Sequence, residues 1–198
     1  MVDYLLHLDR ELFVYLNGFG SEGWDDFWGF ITKQINWLPM FLLFAYLVFK
    51  HLGWRHAVLI LICMAFLIAF TDQTTNLFKN GFQRLRPGNE PELAKLIRAV
   101  QTRKSFSFIS GHASNSMASA MFLYLVLKPY VKYMGFIFIW PLIFAYSRIY
   151  LGLHYPLDIF CGYIWGILMA FIMWEIYKHT HQRLFPEEKE FLDDAANG

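Results

Sequence analysis

Residues 57–71 read AVLILICMAFLIAFT, fifteen positions without a charge. Four other runs have the same character: residues 34–49, 113–127, 133–147 and 159–174. Coiled as a helix, each covers about 24 Å of a hydrocarbon layer roughly 30 Å thick, so each must run on into its polar flanks. The second run continues through Asp72 to Lys79, and the first starts as early as Trp24. Residues 24–33 are left as an undecided sixth element. Over the 198 residues, 57% are hydrophobic, 20% aromatic and only 17% charged. Soluble domains carry nearer a quarter charged residues. The expected fold is therefore all-α: an integral membrane helical bundle of five to six transmembrane helices, one domain over residues 1–185.

The ends of the chain differ from this core. Asp3, Asp9, Arg10 and Glu11 interrupt the N-terminus, which does not have the form of a cleaved signal peptide. Tyr4, Leu5, Leu8, Leu12, Phe13, Tyr15 and Leu16 fall near helical spacing. That pattern predicts an amphipathic helix over 3–18, lying at the membrane surface or packed on the bundle. Residues 186–198 form an acidic, polar tail expected to fray. Cys63 and Cys161 sit inside apolar runs and read as small buried hydrophobes. The formal net charge of +1 gives no reason to expect a nucleic-acid partner.

With five spans, the short basic connections 50–55 and 128–132 share a side with Lys178 and Arg183, which the positive-inside rule makes cytoplasmic. The long connection 79–110 then lies outside, although it carries seven basic residues against Glu90 and Glu92. Either the orientation is reversed or those charges serve chemistry.

The polar residues at the ends of the apolar runs favour chemistry. Lys79, Arg86 and Pro87 follow the second run. Ser110-Gly111-His112 opens the third. Ser147-Arg148, then His154 and Asp158, join the fourth to the fifth. An up-and-down bundle brings all three clusters to one membrane face. Lys79, Arg86 and Arg148 supply fixed positive charge and the N–H donors that phosphoryl transfer needs. Ser110 and Gly111 stand at a helix N-terminus, whose free N–H groups bind anions. His112 is placed to act as a general acid. Asp158, four residues after His154, is placed to accept one imidazole N–H and free the other nitrogen for attack. Singly, each cluster has an ordinary reading: a snorkelling basic anchor, a chance triplet, a local hydrogen bond. Three on one face of a chain so poor in charge do not.

The three clusters together resemble the signature of the type 2 phosphatidic acid phosphatase family, the lipid phosphate phosphatase superfamily. Lys79, six residues and Arg86-Pro87 match its first part. Ser110-Gly111-His112 match its second, with Ile109 where the family has Pro. Ser147-Arg148, five residues, His154, three residues and Asp158 match its third. The resemblance implies a nucleophilic His154 that forms a phosphohistidine, oriented by Asp158, with His112 protonating the leaving group. It implies a phosphate held by Lys79, Arg86, Ser110, Gly111 and Arg148, and no cofactor or metal. Asp72, Arg84 and Tyr155 are secondary candidates: Asp72 through its place on the Lys79 face, Arg84, together with Arg98, Arg103 and Lys104, as a holder of a second phosphate or a polar head group, Tyr155 as a flanking aromatic. The small-residue run from Ala113 to Ala120 reads as close helix packing.

The activity implied by the resemblance is that of a metal-independent hydrolase acting on a lipid phosphate or diphosphate. It would sit in a bacterial cytoplasmic (inner) membrane with its site facing outward, the periplasmic side. The short chain resembles bacterial undecaprenyl-diphosphate phosphatases and phosphatidylglycerophosphatase B; phosphatidic acid and a lipid A phosphate are further substrates to weigh. A phosphotransferase that passes the phosphate to another acceptor is the second reading. A non-catalytic binder of anionic lipid is the third, opposed by the presence of His112, His154 and Asp158.

Overall fold

Helices form wherever the sequence is apolar, and the residues between them decide how the rods are joined. The structure is a computed structural model and describes residues 1–186. The acidic tail expected to fray therefore lies, but for its first residue, outside the described residues. Among the described residues six α-helices follow in order: α1 (Val2–Asn17), α2 (Asp25–Ile31), α3 (Leu38–Phe82), α4 (Gly111–Leu127), α5 (Ile139–Tyr150) and α6 (Pro156–Leu184). Short 3-10 turns precede or connect several of them, and no strand occurs among the described residues.

The long helix α3 is two arms. Gly53 between them has φ +78° and ψ 172°, a conformation that L side chains rarely adopt. The chain reverses there, because Phe41 and Phe44 of the first arm line one cavity together with Met64 and Ile68 of the second. On a straight helix those residues would be tens of ångströms apart. All five apolar runs thus appear as helical rods. Two segments are long and apolar enough to cross a bilayer, one within Gln34–Lys95 and the other Pro156–Leu184. At 17 residues, α4 is short and rich in Ser and Ala, and α5 has only 12 residues after a 3-10 lead-in. The undecided segment 24–33 contains α2, whose seven residues cover only about 10 Å.

The core runs along α4, which packs against α3, α5 and α6. Ala118, Ala120, Phe122 and Leu127 are fully buried. Their small neighbours let α6 come close, and α6 contributes glycines at the contact. A Cβ on Gly162 would lie 2.9 Å from the Ser110 carbonyl oxygen, and one on Gly166 would lie 3.0 Å from the Ala118 nitrogen. Phe66, Phe70, Phe160, Ile164 and Phe171 point outward and are exposed, as residues facing lipid would be. Cys63 is buried and Cys161 half-buried, both as free thiols.

The N-terminal helix α1 packs on α5 and α6, and its polarity is inverted. The residues it buries are Asp9, Phe13 and Asn17. Tyr4, Leu5, Leu8, Leu12 and Tyr15 face outward. Asn17 locks the last turn: its Nδ2 donates to the carbonyls of Arg98 (3.1 Å), Ile149 (3.0 Å) and Tyr150 (3.0 Å), and its Oδ1 accepts from the Arg98 N–H (2.8 Å). The apolar stripe read from the sequence is real, but most of it faces away from the protein.

Candidate active site

The end of α3, the start of α4, the end of α5 and the start of α6 meet on one face. Ser110 caps α4: its backbone N–H donates to the Asp158 carbonyl at 3.0 Å and its Oγ accepts from the Ala113 N–H at 3.4 Å. Pro156 opens α6 with a φ suited to a first turn. Tyr155 and Asp158 close a capping box there, the Tyr155 N–H donating to Asp158 Oδ2 at 3.0 Å. The capping of each helix thus brings Ser110, His154 and Asp158 together.

Around the N-terminus of α4 the cations gather. Lys79 Nζ lies 3.5 Å from the point where a Cβ on Gly111 would sit, and Asp72 Oδ1 lies 3.9 Å from the same point. Lys79 Nζ therefore sits beside the first residue of α4. The ring of His112 stacks on Phe144 at 5.1 Å between centroids. Arg148, 1% exposed, donates through Nη1 to the Thr32 hydroxyl, and its Nε has no hydrogen-bond partner among the described residues. A buried guanidinium N–H left open is a donor available to an anion.

Arg86 orders the loop that carries His154. Its Nε donates to the Ser105 carbonyl at 2.7 Å and its Nη2 to Ser105 Oγ at 3.0 Å. Its Nη1 reaches the Leu153 carbonyl at 2.8 Å and His154 Nε2 at 3.0 Å. Burial, and then the neighbouring charge of Arg103, pushes the Arg86 pKa down to about 10, which leaves it charged at neutral pH.

The contact with His154 fixes a tautomer. A guanidinium only donates, so Nε2 must carry the lone pair and Nδ1 the proton. Nδ1 faces Asp158 Oδ2 at 3.5 Å and Ser107 Oγ at 3.4 Å, and Ser107 Oγ itself donates to Asp158 Oδ2. Burial, followed by the charges of Arg86, Arg148 and Lys79, holds His154 well below the usual imidazole range. A neutral imidazole whose Nε2 lone pair is turned toward a cluster of cations, where Arg86 holds it until an anionic electrophile takes the place of that hydrogen bond, can act as a nucleophile.

The secondary candidates fall differently. Arg84, expected to hold a second phosphate or head group, donates to Asp158 Oδ1 at 2.8 Å and to Asp9 Oδ2 at 2.7 Å, and lies over the Tyr155 ring at 3.8 Å. Its fork is already taken by two carboxylates. Tyr155 is 1% exposed, its hydroxyl donating to Glu90 Oε2 at 2.5 Å. Arg98 pairs with Asp25, while Arg103 and Lys104 are exposed. Beside Arg84 and Tyr155 a cavity of about 490 Å³ opens between Leu6 of α1 and Phe82, Phe108 and Leu157. No group of three or more His, Cys, Asp or Glu among the described residues is arranged to hold a metal.

Sequence reading missed Ser107, Thr32 and Asp9. Each meets its partner across a long stretch of chain, 51, 116 and 75 residues for Asp158, Arg148 and Arg84 respectively. No local spacing marks them.

Comparison with known proteins identifies the family. The family model described as the PAP2 superfamily matches residues 57–182. A lipid A 4'-phosphatase from Bacteroides thetaiotaomicron is 35% identical over 92% of this chain and 81% of its own length. A second, from Porphyromonas gingivalis, is 27% identical over 92% of this chain and 78% of its own. An undecaprenyl-diphosphatase from Sulfolobus acidocaldarius is 29% identical over 73% of this chain and 65% of its own. Among solved structures, a transmembrane PAP2-type phosphatidylglycerolphosphate phosphatase from Bacillus subtilis superimposes with a TM-score of 0.66 at 20% identity, covering 87% of this chain and 86% of that one. LpxE from Aquifex aeolicus gives 0.58 at 22%, covering 83% and 93%.

Proposed function

The chain belongs to the PAP2 superfamily and is a membrane lipid phosphatase, and from that premise we propose that it cleaves a phosphomonoester from a lipid A-type glycolipid by attack of His154. The observation that carries the mechanism is the Arg86 donor on His154 Nε2, which turns the lone pair toward the cationic cluster. The substrate rests on the 35% identity to a lipid A 4'-phosphatase across most of both chains.

In this reading Lys79, Arg148, the second Nη2 N–H of Arg86 and the Gly111 N–H hold the phosphate oxygens, with Ser110 at the same helix end. Nε2 attacks phosphorus as the P–O bond to the lipid breaks, and His112 gives its proton to the departing alkoxide. The phosphohistidine carries its positive charge on an imidazole whose Nδ1–H faces Asp158. His112, now neutral, takes a proton from water as the water oxygen attacks phosphorus. Phosphate leaves and His154 returns to its starting form. Each donor to the transition-state oxygens contributes about 2.7–4 kcal/mol in comparable sites. The site faces outward from a bacterial inner membrane, where the surplus of positive charge on the 79–110 connection would oppose the positive-inside rule unless it served substrate.

The test is phosphate release by purified protein in detergent with EDTA present. Lipid A, undecaprenyl diphosphate, phosphatidylglycerophosphate and phosphatidic acid are offered side by side. Lipid A should be the preferred substrate, and His154→Ala should lower release by roughly a thousandfold or more. Preference for undecaprenyl diphosphate would replace the substrate and keep the mechanism. Full activity in His154→Ala would remove the mechanism.

A further inference from the structure

Asp158 has two oxygens and the protein treats them differently. Oδ2 receives the Tyr155 N–H at 3.0 Å and the Ser107 hydroxyl, and it faces His154 Nδ1. Oδ1 receives Arg84 Nη1 at 2.8 Å. The Asp158 side chain has no solvent exposure, and that of Arg84 has 16%. A carboxylate taken wholly out of water needs a compensating cation, and Arg84 is the cation in contact.

Arg84 is itself held. Its Nη2 donates to Asp9 Oδ2, and Asp9 Oδ1 accepts the Leu157 N–H at 2.7 Å. Asp9 therefore grips both the guanidinium and the backbone beside Asp158. The Arg84 carbonyl accepts the Ser107 N–H at 2.8 Å, so the same residue also places the hydroxyl that reaches Oδ2. The Tyr155 ring beneath the guanidinium leaves it one plane to occupy.

We propose that Arg84 and Asp9 are positioning residues for the His154–Asp158 pair, which makes α1 a working part of the catalytic apparatus. Arg84 pins Oδ1, so the carboxylate plane is fixed and Oδ2 is left to orient the imidazole. Asp9 keeps Arg84 from swinging into the phosphate site, where its charge would compete with Lys79 and Arg148 for substrate. A lysine cannot replace the fork, because one ammonium does not span two carboxylates in a fixed plane.

This inference rests on the phosphatase reading above, so wild type and His154→Ala are run beside the new variants. Arg84→Gln, Arg84→Lys and Asp9→Asn are assayed on dioctanoyl phosphatidate in detergent micelles, or on the preferred lipid found above where that is faster. Thermal melting is recorded for each protein. Arg84→Gln should lose roughly 10–100-fold in kcat with KM within about twofold, the size of loss seen when an orienting partner is removed. Arg84→Lys should recover part of that loss. Asp9→Asn, which keeps an acceptor for Leu157, should melt like the wild type and still lose about fivefold in kcat. Should Arg84→Gln fail to fold, Arg84→Lys and Asp9→Asn decide the matter. A raised KM with kcat kept would make Arg84 a substrate ligand and overturn the inference. So would wild-type kcat in Asp9→Asn, or a kcat loss that only mirrors a fall in melting temperature. If His154→Ala remained active, the phosphatase mechanism would fall whatever Arg84 did.

Discussion

Two helix seams in this protein are built from similar apolar residues and fitted very differently. Between α4 and α6, glycines at 162 and 166 meet Ser110, Ser114 and Ala118 at backbone contact. Between the two arms of α3, where Ser119 and Leu123 of α4 close the side, Phe41, Phe44, Met64 and Ile68 line a cavity of about 230 Å³. The first seam joins the helix that begins with Ser110-Gly111-His112 to the one that begins at His154 and Asp158. The second joins the two arms of α3, and its lining ends at Ile68, eleven residues before Lys79. In lipid, association rests on packing rather than on burial from water, so a close seam has to be specified by small residues. The chain specifies it where sub-ångström placement matters and leaves a void where it does not.

That contrast can be broken by substitution. Gly166→Ala should have the largest effect, because its Cβ collides with the Ser114 carbonyl, which is backbone and cannot turn away. We expect a loss of roughly 3 kcal/mol. A fall in phosphatase activity well beyond the unfolded fraction should accompany it, read by thermal melting and phosphate release on the same sample. Gly162→Ala should be milder, about 1–2 kcal/mol, with its contact at 2.9 Å to the Ser110 carbonyl. Because that contact bears on the cap of α4, activity should drop by more than stability. Ala45→Leu, which pushes a side chain into the hairpin cavity, should change stability by less than about 1 kcal/mol and leave kcat alone. A glycine variant as harmless as Ala45→Leu would show that the two seams are equivalent after all.

Much of the site was legible because its residues come in short, rigid groups. The steps from Lys79 to Arg86 and from Arg148 through His154 to Asp158 are each set by one helix end and one turn. Hydrophobic runs gave the rods for the same local reason. The links between the groups were not legible. Ser107, Thr32 and Asp9 are ordinary residues until the fold brings them to Asp158, Arg148 and Arg84. Gly162 and Gly166 sit one helical turn apart like any pair of glycines, and only the facing run from Ala113 to Ala120 makes them a seam. The direction of α1 was ambiguous because a bilayer removes the usual rule. Where solvent is lipid, an apolar stripe can face outward, and the inward face is then free to be polar. The reversal was legible as the short basic connection 50–55, and only its placement at Gly53 was not.

The inverted polarity of α1 also bears on time. It is made well before the partners on α5 and α6 that lock it. Asn17 waits 132 and 133 residues for the carbonyls of Ile149 and Tyr150, and Asp9 waits 148 for the Leu157 N–H. Contacts of that sequence separation form late. Until they exist, α1 has only the partners in the 84–98 stretch, Arg84 for Asp9 and Arg98 for Asn17, and its outward row of Tyr4, Leu5, Leu8 and Leu12 has the membrane. α1 is thus locked long after it is synthesised, and the lipid surface keeps it in place in the interval.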